Sequence, residues 1–372
     1  MIGDRDLAPA WPSCRVTDLL GIDHPIFLSP MAQIGTADLA LAVCEAGGLG
    51  SIGCASLSPE DAAHAIATLH ALTDKPFGVN FFCHHQAAPD PDREAAWQDA
   101  LRPYYRERNL PFGAPATGRT ITPFDDAMCG VVERAPPAVV SFHFGLPAPQ
   151  MVARLKAVGC LVMSTATTVE EAIWLEARGV DIVIAQGIEA GGHRGMFLPT
   201  HPATALAGQM GTVALVPQVA DAVRIPVVAA GGIADGRGIA AAFALGADAV
   251  QIGTGYLRCP EVAISALYRR ALDAAGGGDT VVTNVFTGRP ARAIGNRLVR
   301  DLGPISNTVP AFPVAMGATR QLAADAAQEG CTDFTAFWAG EAVAMGRALP
   351  AKTLTAVLVA EAMSQFSGRP KA

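Results

Sequence analysis

Eight short apolar runs, at 25–31, 49–54, 77–82, 138–144, 161–166, 181–186, 227–230 and 249–252, set the strongest limit on what this chain can become. Each is near-continuous rather than alternating, so each reads as a strand buried on both faces, the pattern of a parallel sheet. Helical stretches lie between them, at 37–46 with a Gly-Gly stop, after a Ser58-Pro59-Glu60-Asp61 start signal, at 149–158 and at 169–178. In the last of these Thr168 reads as the N-cap and Gly179 as the stop, with Glu170 and Glu171 as a solvated first turn. Eight strands separated by helices fit a closed α/β barrel of the (β/α)8, or TIM, type better than an open doubly wound sheet.

The expected barrel covers 15–256, with two departures from its rhythm. Residues 83–122, after the third strand, are proline-rich and charged, and read as an inserted loop and helix beside the barrel mouth. Residues 257–372 exceed one closing helix and read as a C-terminal helical cap on the barrel, with helical patches at 262–274, 318–327 and 354–362 and a GRPAR loop at 288–292.

A core of this size needs apolar residues, and they make up 51% of the chain against 16% charged. The net charge of −7 argues against a nucleic-acid partner, which calls for a basic face. No uninterrupted apolar run reaches membrane-spanning length, and the first 14 residues lack the apolar segment of a secretory signal, so a cytoplasmic protein is expected. The eight cysteines show no C-x-x-C spacing and read as small buried hydrophobes.

In such barrels the strand C-terminal ends form the active face. Here they carry Met31 and Ala32, Asn80, His143, Gln186, Gly231 and Gly232, and the stretch Gln251, Ile252, Gly253, Thr254. The glycine turns after the last two strands let backbone amides approach an anion without a Cβ in the way, and Thr254 can add a hydroxyl donor. Tight turns alone are the alternative. Asn80 and Gln186 carry amides suited to the edge of a flat heterocycle, or to satisfying a loop backbone. AQGIEAGGHRG (185–195) surrounds a histidine with glycine, which allows a main chain folded against a ligand and an imidazole, His193, aimed into the mouth. Arg194 reads as holding that loop through a carboxylate such as Glu189. His143 is either an active-site group or a satisfied core histidine. His84 and His85, adjacent on an extended chain, point opposite ways and make a poor chelate, so no metal is expected.

Taken together, PMA (30–32), AGGLG (46–50), GVNF (78–81), SFHFGLP (141–147), AQGIEAGGHRG, the segment 229–238, QIGT (251–254) and FTGRPAR (286–292) resemble the nitronate monooxygenases of class I, from about residue 15 to 345. The resemblance implies non-covalent FMN, held at Met31, Ala32, Asn80, Gln186, Gly191, Gly232, Gln251, Ile252, Gly253 and Thr254. It implies His193 as the active-site histidine with His143 nearby, and oxidation of alkyl nitronates such as propionate 3-nitronate by O2 to a carbonyl compound and nitrite. No partner beyond substrate and O2 is implied, and a homodimer is left open. The rival readings are an FMN-dependent NAD(P)H:quinone or enoyl-thioester reductase, a phosphate-metabolite lyase or isomerase without flavin, and a non-catalytic FMN sensor.

Overall fold

The computed structural model describes residues 10–112, 121–198 and 206–367. Eight parallel strands form one sheet: β1 (Ile26–Leu28), β2 (Gly50–Gly53), β3 (Phe77–Phe82), β4 (Val139–His143), β5 (Leu161–Ala166), β6 (Ile182–Gln186), β8 (Val227–Ala230) and β9 (Ala249–Ile252). The order β1-β9-β8-β6-β5-β4-β3-β2 is closed by a parallel bridge between Phe27 and Leu49, with Leu28 N donating to Leu49 O and Leu49 N to Ile26 O. This is a (β/α)8 barrel.

The near-continuous apolar character of the runs follows from two separate cores. Phe27, Leu49, Val139, Met163, Ile182, Val228 and Ala249 fill the barrel interior, together with Val16 and Leu20 of a short helix (Arg15–Leu20) that plugs one end. Their neighbours Ile26, Leu28, Val140, Val162, Val183, Ala229 and Val250 face the surrounding helices. Residues at alternate positions meet different layers, and both layers are dry. The helix starts follow the sequence signals: Ser58 Oγ accepts from Asp61 N at 3.1 Å ahead of Pro59, and Thr168 Oγ1 accepts from Glu171 N at 3.2 Å.

Glu171 departs from its expected place in solvent. It is fully buried, and its carboxylate accepts from Thr167 N and Oγ1 and from Phe197 N, at 2.7–2.8 Å. The side chain turns back to satisfy the loop that follows the GGHRG segment, a task that composition alone does not reveal.

Residues beyond β9 depart from a purely helical cap in two ways. First, an antiparallel hairpin, β10 (Thr280–Thr283) and β11 (Ala291–Ile294), pairs through β11 with a two-residue strand β7 (Gly192–His193) inside the GGHRG loop. Second, the last helix (Ala351–Phe366) lies against the barrel helices Gly236–Ala244 and Ala37–Glu45 and buries Leu354, Leu358 and Ala362 in their shared core. It therefore occupies the position of the barrel's eighth helix, and the segment before it is inserted between the last strand and that helix. The insertion after β3 does not stand alone either. Trp97, Leu101, Tyr104 and Tyr105 of helix Pro91–Glu107 share a second hydrophobic core with Phe286, Leu298, Leu322 and Phe334.

Leu358 is 1% exposed and Leu72, on another barrel helix, 50%. Leu358→Ala should cost about 2–5 kcal/mol and Leu72→Ala under about 1 kcal/mol in a urea titration. Equal losses would show that the last helix is not part of the barrel wall.

Candidate active site

The strand C-terminal ends open into one cavity of about 230 Å³. Met31, Ala32, Asn80, His143, Gln186, Gly191, His193, Gly232, Gln251, Gly253 and Thr254 all line it. Ile252 does not: on β9 it points outward into the helix layer, 1% exposed, while Gln251 points inward. Strand alternation explains the difference.

The glycine turns occupy one end. Gly231 and Gly232 take φ of +117° and +71°, conformations that side-chain-bearing residues adopt only under strain. A Cβ on Gly191 would fall 2.5 Å from Gly340 N, and one on Gly340 would fall 2.6 Å from Glu189 O, so two backbones meet here with no room for side chains. The amides of Gly232, Gly253 and Thr254 donate to no backbone carbonyl among the described residues. Thr254 Oγ1 accepts from Gly340 N at 2.9 Å, which leaves its own proton for a ligand. The carboxylate of Glu189, also in the wall, is turned away to the start of helix Thr212–Ala222, where Thr212 N and Oγ1 donate to it at 2.8–2.9 Å.

The imidazoles occupy the other end. His143 Nε2 lies 3.0 Å from the His193 carbonyl oxygen, and its Nδ1 lies 3.1 Å from Thr165 Oγ1. A carbonyl only accepts, so Nε2 carries the proton and the threonine hydroxyl donates to Nδ1. Both nitrogens are engaged, and burial holds the ring neutral with a pKa of about 4. Gln186 grips the same loop, donating from Nε2 to His193 O at 3.0 Å and accepting Gly195 N at 2.8 Å. Gln186 and His143 thus serve the loop that carries His193, the structural alternative open in the sequence. Asn80 donates to Ser141 O and Oγ and keeps its Oδ1 without a donor among the described residues.

His193 itself stands among Phe82, Phe144, Phe312 and Trp338, with ring centroids 5.4–6.1 Å away. Its Nε2 is 3.0 Å from Thr287 Oγ1, and its Nδ1 has no hydrogen bond among the described residues. Burial, reinforced by the positive field of Arg289, lowers its pKa to about 3. Arg194 is fully buried, but it does not pair with Glu189. It donates to Gly187 O and Gln186 O at 2.6 Å and to Gln209 Oε1 at 2.8 Å. Glu189 already serves the helix start, so the arginine closes the loop through carbonyls instead.

Sequence reasoning did not assign Thr287, Trp338, Gly340, Ile121 and Met316 to the cavity wall. Thr287 stands in the FTGRPAR segment, which carried the family resemblance without a role attached to that residue. Ile121 and Met316 carry no chemical signature.

Fold and cavity together define a (β/α)8-barrel enzyme with its cleft on the strand C-terminal face. The sequence profile of the nitronate monooxygenase family matches residues 13–361. A nitronate monooxygenase from Pseudomonas aeruginosa is 45% identical over 353 residues, covering 93% of this chain and 98% of that one. Among solved structures, the nitroalkane oxidase of Streptomyces ansochromogenes has a TM-score of 0.85 at 40% identity, covering 95% of this chain and 99% of that one. FabK from Thermotoga maritima has a TM-score of 0.73 at 33% identity, covering 96% and 98%. The chain belongs to the nitronate monooxygenase family and is an oxidoreductase.

His84 is held near pKa 4 by burial, as His143 is, and His193 near 3, all below the ordinary 6.5. The unfolded chain therefore binds protons between pH 6.5 and 5 that the folded chain refuses, and stability falls as pH falls through that window. Each histidine adds at most about 1.4 kcal/mol per pH unit. Urea titrations at pH 7 and 5 should show this loss, and His143→Gln should make it shallower by one proton's worth. An unchanged slope in the variant would contradict the neutral assignment.

Proposed function

We propose that this chain binds FMN and oxidises alkyl nitronates with O2 to a carbonyl compound and nitrite. The observation that carries the reading is the fixed, neutral His193 at one end of a cavity whose other end is a side-chain-free turn with spare amide donors. Gly232, Gly253 and Thr254 would hold the phosphate. Asn80, Gln251 and Gly191, with Met31 and Ala32, would hold the ribityl chain and ring. Uncompensated amides, a free hydroxyl proton and glycines that tolerate no Cβ suit an anionic, flat-ended ligand. Bound FMN would supply the electron-accepting chemistry that links nitronate oxidation to O2.

The protein's own part is orientation and charge. A nitronate has already lost its α-proton, so it needs no strong base, and a ring with a pKa of about 3 is a weak one. Thr287 can donate to Nε2 or accept from it, so Nδ1 can offer a proton to a nitronate oxygen or a lone pair to an α-proton. Phe82, Phe144, Phe312 and Trp338 pack around the ring and leave Nδ1 facing the cavity. The proposed setting is the cytoplasm, and the reaction needs only a small anion and O2.

An NAD(P)H-dependent reductase on the same barrel is the second reading, since a flavin held there could equally take a hydride. Anaerobic NADPH separates the two, because rapid flavin bleaching belongs to the reductase alone.

His193→Asn should retain flavin, read from the visible spectrum, and lower butyl-1-nitronate turnover, read as O2 uptake, by about 100-fold or more. Full activity in that variant would remove His193 from the chemistry. Gly232→Val, forced to φ +71°, should instead lower flavin stoichiometry, and full retention would remove that turn from the phosphate site.

A further inference from the structure

The FTGRPAR loop gives Thr287 to the cavity wall, but its first arginine has no task in the reading above. Arg289 is held between fixed points. Thr287 Oγ1 lies 3.0 Å from His193 Nε2, Pro290 O accepts Arg194 N at 2.8 Å, and Ala291 pairs in register with His193. The guanidinium is thereby set 4.0 Å over the ring of Phe144. That ring in turn stands edge-on to His193, with centroids 5.8 Å apart. Phe144 takes φ +70°, a conformation costly for a bulky residue, in the place where its ring meets both the cation and the imidazole.

Arg289 is also uncompensated. Its Nη1 is buried with no hydrogen-bond partner, and it forms no ion pair among the described residues. The next arginine of the same loop differs, since Arg292 pairs with Glu341 at 3.0 Å. The field of Arg289 reaches His84, His143 and His193, and all three are neutral. Glu189, the carboxylate of the cavity wall, lies at the glycine end and is engaged by Thr212. Glu171, the buried carboxylate whose field reaches Arg289, makes no ion pair with it and is taken up by Thr167, Phe197 and Leu198, so the imidazole end of the cavity holds a guanidinium that no carboxylate touches among the described residues.

We propose that Arg289 is the anion-selecting residue of this cavity: a permanent counter-charge behind Phe144 that draws small oxyanions, a nitronate or inorganic nitrite, to the His193 end in preference to neutral nitro compounds. It acts through its field and not by contact, because a partly desolvated charge a few ångströms behind a ring is weakly screened. For nitronate as the oxyanion the proposal rests on the reaction proposed above; for inorganic nitrite it does not.

Equilibrium binding to the purified full chain tests it, with sodium nitrite as the anionic probe and nitroethane, kept protonated at pH 6.5, as the neutral one. Arg289→Met should weaken nitrite about 10- to 100-fold and leave nitroethane within about threefold, while Arg289→Lys should keep nitrite within about fivefold of the wild type. Equal weakening of both probes, or unchanged nitrite affinity, would overturn the proposal by reducing Arg289 to a packing role or to none. Should Arg289→Met fail to fold, the wild type decides: nitrite no tighter than nitroethane overturns the proposal, and a preference of tenfold or more that Arg289→Lys retains supports it. Nitrite binding that depends on Arg289 in a chain that oxidises no nitronate would leave the anion site standing and remove the proposed reaction instead.

Discussion

The carbonyl oxygen of His193 is the point on which the site depends. It accepts from Gln186 on β6 and from His143 on β4, so two barrel strands hold one loop by its main chain. The side chain of the same residue is then left free to face the cavity, and β7–β11 pairing and the Thr287 hydroxyl fix its angle. Arg194, one residue on, ties the start of the loop to its end through carbonyls of Gln186 and Gly187. A glycine-rich segment that would otherwise be mobile becomes part of the scaffold, which is what a precisely aimed imidazole needs.

Much of this was legible in the residues. The barrel was readable because each strand is buried on both faces, and that leaves a continuous apolar run. Most of the cavity wall was readable because polar or glycine residues interrupt such runs at their ends. The errors share one origin: the sequence states that a polar group is present but not which neighbour satisfies it. Glu171 read as solvent-facing and is buried under four donors from two segments, and Glu189 read as a partner for Arg194 and instead caps a helix. For Ile252 the outward side chain follows from alternation with Gln251.

The hairpin β10–β11 was missed for a different reason. Its strands are four residues each and pair with a two-residue strand, a length that gives no periodic signal. What holds it is contact with a helix nearly 200 residues earlier, through the core of Trp97, Tyr104, Phe286 and Phe334. Only the folded chain brings the two insertions together, and it is this joint cap that carries Thr287, Arg289 and Trp338 to the barrel mouth.

The placement of the last helix has an implication for how the molecule is made. Ala351–Phe366 seals the gap between Gly236–Ala244 and Ala37–Glu45, so the wall beside the first strands waits for residues translated roughly three hundred positions later. Until that helix docks, the apolar outer faces of Ile26 and Leu28 lack one flank. The helical layer thus closes through a contact between distant parts of the chain, the kind that pairs more slowly than the neighbouring helices around it.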